Sequence, residues 1–141
     1  MTYLDTNILL YAITQDSKYG AACKRILFDI EEGALQVGAS TLVLLEVLGA
    51  LRKINGTRLR KRQPLLDIRA NLEAILSLPV VWFEMSVFVI ERAANHTMKK
   101  GQTADYIHYA TAEMQGMKQI LSADEDFDQA PGIERLDPLQ Y

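Results

Sequence analysis

The sequence predicts a three-layer α/β/α domain with a mostly parallel sheet. Short apolar runs of strand character recur along the chain. Each is separated from the next by a segment of helical periodicity, and parallel strands need crossovers of that kind. The chain has 141 residues, 49% of them apolar and 23% charged, enough to bury one core between two helical layers. We therefore expect residues 1–141 to form a single domain, and the composition excludes a disordered chain.

Taken in order, Met1 to Leu4 reads as a short strand. Ile8-Leu9-Leu10-Tyr11-Ala12 is too apolar for a surface loop and starts a short buried helix. Ser17 is expected to cap the next helix, whose stripe is Ala22, Cys23, Ile26, Leu27 and Ile30, with Gly33 as its stop. Cys23 belongs to the core on this reading. Leu35 to Ala39 is a second strand, Ser40 a cap, and Thr41 to about Ile54 a helix ended by Asn55-Gly56. The basic stretch Thr57 to Gln63 follows as a loop or as a continuation of that helix. Pro64 suits a first helical position, and Leu65, Ile68, Leu72, Ile75 and Leu76 recur at helical spacing until Pro79. Val80-Val81-Trp82-Phe83 reads as a buried strand. Ser86 caps a helix through Val87, Ile90 and Ala94 toward Gly101, and Thr103 caps another from Ala104 to about Gln115, stopped by Gly116. Gln119 to Ser122 and Ile133 to Leu136 are the last strands, the second following the Pro131-Gly132 turn.

Composition narrows the function classes. A single cysteine rules out an internal disulfide framework and a cysteine-based zinc cage within one chain. A bound metal must therefore be held by oxygen or by the two histidines. No apolar run approaches the roughly 18 residues needed to cross a bilayer, and no basic region with a cleavable apolar stretch opens the sequence, so a cytoplasmic protein is expected. The net charge of −3 hides an asymmetry. Between Arg52 and Arg69 lie seven bases against Asp67 alone, whereas from Gly101 to Tyr141 eight acids face only Lys118 and Arg135. Cations to hold phosphates beside carboxylates to hold a metal are what an enzyme acting on a polyanion needs, although a solvated loop and a solvated tail would give the same pattern.

Ligand sites in open α/β sheets lie outside the carboxyl ends of the strands. Asp5 ends the first strand, Asp124 sits just past the strand that ends near Ser122, and Asp105 opens a helix. Singly, each has a plainer explanation in turn chemistry or in complementing the helix dipole. Glu46 is harder to dismiss. Its neighbours at helical spacing are Leu42, Val43, Gly49 and Ala50, its flanks are Leu45 and Val47, and no base stands within a turn. Burying it unpaired would cost several kcal/mol. Either it pairs with a distant base such as Arg25 or Arg92, or it shares a cation with other acids. Four acids from four elements suggest an oxygen-ligand Mg²⁺ or Mn²⁺ site.

Four segments carry a family resemblance: Tyr3-Leu4-Asp5-Thr6-Asn7, Ser40-Thr41-Leu42-Val43-Leu44-Leu45-Glu46-Val47, Thr103 to Ala112 with Asp105 and His108, and Ile120-Leu121-Ser122-Ala123-Asp124-Glu125-Asp126-Phe127-Asp128. In this order and spacing the chain resembles the PIN-domain nucleases, in particular the VapC-type ribonuclease toxins of toxin-antitoxin modules. The resemblance implies that Asp5, Glu46, Asp105 and Asp124 are the catalytic and metal-binding quartet and that Asn7, Ser122 and Asp126 support the pocket. Ser122 stands where the family more often has threonine. It further implies metal-dependent hydrolysis of RNA phosphodiesters by a homodimer held inactive by a partner antitoxin. Such chemistry requires no side-chain nucleophile, because clustered cations activate water. His96 and His108 are accordingly expected to be structural, His108 orienting Asp105 from one turn away.

The basic residues Arg58, Arg60, Lys61 and Arg62 lie outside those segments and are expected to contact the RNA backbone. Two alternatives compete with the nuclease reading. One is a degenerate member of the same fold that binds RNA or a partner without cutting. The other is a haloacid-dehalogenase-like phosphatase, which needs a second aspartate two residues after the first, where this chain has Asn7.

Overall fold

A computed structural model describes residues 1–141. Five strands, β1 (Thr2–Leu4), β2 (Val37–Ser40), β3 (Val80–Phe83), β4 (Gln119–Leu121) and β5 (Glu134–Leu136), form one sheet in the order β3-β2-β1-β4-β5. Every pairing is parallel, with Tyr3 opposite Gly38 on one side and Ile120 on the other. The chain winds one way from β1 to β2 and β3 and the other way to β4 and β5. This reversal opens a crevice at the carboxyl end of β1.

Helices cover both faces. They are α1 (Thr6–Thr14), α2 (Gly20–Glu31), α3 (Leu42–Arg60), α4 (Ile68–Ser77), α5 (Val87–Ala94) and α6 (Thr103–Met114). Successive strand residues point to opposite faces. Leu4 and Leu121 thus enter a core with Ile8, Ile26, Val43, Val47 and Leu51, while Tyr3 and Ile120 enter another with Tyr109, Ala112 and Phe127. Cys23 is fully buried in the first of these. Gly38 is required by packing, since a Cβ there would stand 2.7 Å from both Met117 and Phe83. No helix is long and apolar enough to cross a membrane.

Several boundaries differ from the sequence expectations. The helix expected to end at Asn55-Gly56 runs on to Arg60, so of the two readings of the basic stretch the continuation of α3 holds for residues 57–60, with Lys61 and Arg62 in the turn that follows. Asn55 does not terminate it because its side chain is engaged elsewhere, donating to the Leu66 carbonyl and accepting from the Leu66 amide. That clamp ties Leu66 to the side of α3. Residues 63–67 have no regular structure, so Pro64 starts no helix, and α4 begins at Ile68 with Asp67 capping the Ala70 amide. Ser17 is not a cap either: Asp16 accepts from the Lys18 and Tyr19 amides and α2 begins at Gly20. The cap of α6 is Gln102, one residue before the expected Thr103. Helix α5 is capped by Ser86 as expected but stops at Ala94, and it buries Val89 and Ala93 while Val87, Phe88 and Ile90 face outward. Strand β3 lies at the edge of the sheet, which leaves Val81 exposed.

Candidate active site

Asp5 follows β1 directly and caps α1, its Oδ1 accepting from the Thr6 amide at 2.7 Å. Its Oδ2 accepts from Asn7 Nδ2 at 2.6 Å and from the Ser122 hydroxyl. Ser122 is fully buried at the end of β4 and also accepts from Asn7 Nδ2 and from the Asp124 amide. Asn7 Oδ1 in turn accepts from the Ala123 amide at 3.1 Å. Asn7 and Ser122 thus fasten the β4 turn to the β1 turn and hold the Asp5 carboxylate from both sides. Burial pushes Asp5 above the usual carboxylate range, against the opposing pull of His108, Ser122 and the Thr6 amide.

Glu46 projects from the second turn of α3. The expected distant bases do not reach it: Arg92 pairs with Glu113 at 2.7 Å, and Arg25 makes no ion pair. Its partner is His108, whose Nε2 donates to Glu46 Oε1 at 2.6 Å, and Thr6 Oγ1 donates to the same oxygen at 2.7 Å. A carboxylate only accepts, so Nε2 carries the proton. Nδ1 of His108 shares a 2.7 Å hydrogen bond with the Tyr3 hydroxyl, which also accepts from the Ser40 amide. His108 therefore positions Glu46, not Asp105 as the one-turn spacing suggested; it is structural and almost fully buried. Burial alone would lower its pKa, but Glu46, Asp5 and Asp105 together raise it. Burial likewise works to raise Glu46, yet the His108 and Thr6 hydrogen bonds hold it below its ordinary value.

Asp105, in the first turn of α6, accepts from the Gln102 amide through Oδ2. Asp124 caps a 3-10 turn over Glu125–Gln129 and accepts from the Asp126 amide through Oδ1. Asp105, Asp124 and Asp126 each bring a carboxylate oxygen within 4.8 Å of the others. Asp126 thus stands in the cluster itself, whereas the sequence suggested only a supporting role. Burial raises the Asp105 pKa, and the charges of Asp124 and Asp126 push it further up against the Gln102 bond. Asp5, Glu46, Asp105 and Asp124 all line one cleft of about 440 Å³ together with Thr6, Asn7 and His108.

Two features bear on what this cleft can hold. Glu46, Asp105 and Asp124 are each fixed by one oxygen, and the other makes no hydrogen bond within the protein. No lysine or arginine pairs with any of the cluster, although Arg135 takes up the neighbouring Asp128 and Asp137. Preset, unneutralised carboxylate oxygens fit a hard divalent cation. Thr6 and Tyr3 were missed as site residues by sequence reasoning, although both lie in the N-terminal segment that carries Asp5. His96 is likewise structural, bonding Glu113 at 2.8 Å beside the Tyr109 ring. Arg58, Arg60, Lys61 and Arg62 lie at the far end of α3, outside the cleft.

The PIN-domain family model matches residues 2–133. No curated protein matches the chain. Among solved structures it is similar to a toxin-antitoxin complex from Klebsiella pneumoniae, with 22% identity, 98% of each chain covered and a TM-score of 0.64. It is also similar to the sarcin-ricin-loop-cleaving toxin VapC20 of Mycobacterium tuberculosis, with 19% identity over 95% of this chain and 98% of that one, at a TM-score of 0.72. A third is VapBC2 from Rickettsia felis bound to a promoter DNA fragment, with 17% identity over 96% and 98% of the chains and a TM-score of 0.66. At these identities the likeness is one of fold.

Proposed function

The chain belongs to the PIN-domain family, and from that premise we propose that it is a metal-dependent endoribonuclease, the toxin of a toxin-antitoxin pair. The observation that carries this reading is the cleft lined by Asp5, Glu46, Asp105 and Asp124, in which Glu46, Asp105 and Asp124 each keep one carboxylate oxygen free and no lysine or arginine pairs with any of the four. These four residues, with Asp126 beside them, would hold Mg²⁺ or Mn²⁺. When bound, such a cation lowers the pKa of water and offsets charge developing on a phosphate. Asn7 and Ser122 fix the orientation of Asp5, and Gln102 fixes that of Asp105. Glu46, kept ionised by His108 and Thr6, would offer its free carboxylate oxygen to the cation. The Ser122 hydroxyl is committed to Asp5, the Thr6 hydroxyl to Glu46, and Cys23 lies in the core.

The similar structures include a toxin-antitoxin complex and a toxin that cleaves the sarcin-ricin loop, which supports RNA as substrate and an antitoxin as partner. We place the activity in the cytoplasm, on residues 1–141 acting as one domain and paired as a homodimer. The outward Val87, Phe88 and Ile90 of α5 are apolar surface that a second copy would cover. The test is cleavage of structured RNA with Mg²⁺ or Mn²⁺, which should be abolished by chelation and by Asp124→Asn. Independently of activity, saturating Mn²⁺ should raise the melting temperature of the native protein, by about 2.7 kcal/mol of stability at a hundredfold excess over Kd. Asp105→Asn/Asp124→Asn should show no such rise while keeping the native circular dichroism spectrum. Wild-type cleavage by the double variant would refute the assignment.

A further inference from the structure

The acidic cleft ends on Gly49 and Ala50 of α3. One turn further along the same helix a second hollow of about 330 Å³ is lined by Lys53, Ile54, Thr57, Arg58 and Gln63. Seven residues are two turns of α-helix less about 20°, so Glu46, Lys53 and Arg60 share one face at intervals of about 10 Å along the axis. Neither Lys53 nor Arg60 has an acidic partner within the protein. Arg60 does not extend past the helix end. Its guanidinium donates to Thr57 Oγ1 at 3.3 Å and lies 3.9 Å from where a Gly56 Cβ would be, folded back in the direction of the cleft.

Gly49 is the second observation. It is exposed inside a continuous helix, where glycine costs about 1 kcal/mol relative to alanine, yet a Cβ built there meets nothing within 4 Å. Nothing inside the fold requires its smallness, and the missing side chain leaves the helix surface open beside the cleft.

We propose that a single RNA strand leaving the acidic cleft follows α3, admitted close to the helix at Gly49 and held through its phosphates by Lys53 and Arg60. This assignment rests on the nuclease reading and gives it a direction: the strand enters over Glu46 and runs toward the carboxyl end of α3. Lysine and arginine bound to phosphate do not select sequence, so the face sets affinity and register on the strand. The structure also divides the basic segment. Arg58 is anchored to the Pro64 carbonyl at 3.0 Å, while Lys61 and Arg62 lie in the turn after the helix.

The test is the affinity of the full chain for a labelled single-stranded RNA, measured in EDTA so that nothing is cut, across a salt series. Lys53→Ala/Arg60→Ala should weaken binding by about tenfold or more and reduce the slope of log affinity against log salt by about 1.4, at about 0.7 for each phosphate left unneutralised. The control pair Arg52→Ala/Arg69→Ala, from a flank of α3 about 100° round the helix from Lys53 and from α4, should change both much less than the Lys53/Arg60 pair does. Gly49→Trp should weaken binding without changing the slope, because it closes the path and removes no charge. Equal losses from both charge pairs, or no loss from either, would overturn the path while leaving wild-type cleavage intact. Lost binding of an acidic peptide with RNA affinity unchanged would assign the same face to a protein partner and also overturn it. A wild-type chain that neither binds nor cleaves RNA would refute the nuclease reading itself.

Discussion

At the residue scale, Glu46 owes its geometry to a chain of hydrogen bonds running from the Ser40 amide through Tyr3 and His108. Glu46→Gln keeps an oxygen that can accept from both His108 and Thr6, so its stability cost should be about 1 kcal/mol while activity is lost. Tyr3→Phe leaves a buried amide and a ring nitrogen without a partner and should cost about 1–3 kcal/mol. Denaturant melts of the two variants rank these costs, and a Tyr3→Phe protein as stable as wild type would show that His108 needs no support from β1. Glu46 stood out in the sequence as an acid among Leu45, Val47 and Ala50. Yet the helix has the solvated face that this pattern argued against, since Leu45 and Gly49 are exposed and Glu46 is only partly buried. Its partner was not legible in the sequence, since His108 lies 62 positions away and helical spacing pointed it at Asp105. Asp126 was underrated for a related reason: a 3-10 turn brings the side chain two residues past Asp124 back toward it, and no strand or helix periodicity announces that.

At the scale of elements, α3 shows a local stop signal overridden by tertiary structure. Asn55-Gly56 ends helices when the asparagine or glycine is free to adopt a left-handed conformation. Here Asn55 is spent on Leu66, and the helix continues for another turn and more. Gly56 then sits in a helix interior where a Cβ would meet only the flexible Arg60 guanidinium, at an ordinary contact distance of 3.9 Å. Gly56→Ala should therefore raise stability by about 0.5–1 kcal/mol, read as a shift in the denaturant midpoint. A helix ending at Gly56 would give the opposite sign. Strand and helix identities were readable from apolar runs, whereas the boundaries at Ser17 and Pro64 were not. Those depend on which backbone groups the side chains of Asp16, Asn55 and Asp67 reach.

At the scale of the whole molecule, the parallel sheet and its layers followed from the alternation of strands and helices, but the strand order did not. That order puts β1 in the middle, between β2 and β4, and so collects acids from residues 5, 46, 105 and 124 into one crevice. It also leaves the apolar side of α5 on the outside, where Phe88 is 71% exposed. Phe88→Glu should convert the proposed homodimer to a monomer in sedimentation velocity, with native circular dichroism retained. A wild-type chain that sediments as a monomer at micromolar concentration would dismiss that pairing. The central place of β1 has a consequence for the birth of the protein. Asp5 is made first, yet the Ser122 hydroxyl that seats it comes 117 residues later. A nascent chain still attached to its ribosome carries Asp5, Glu46 and then Asp105 but has no closed crevice until β4 has been translated and has slid in beside β1. For the ribonuclease proposed above, assembled on a machine made of RNA, this topology would act as a timer that withholds the blade until those last strands have been threaded into place.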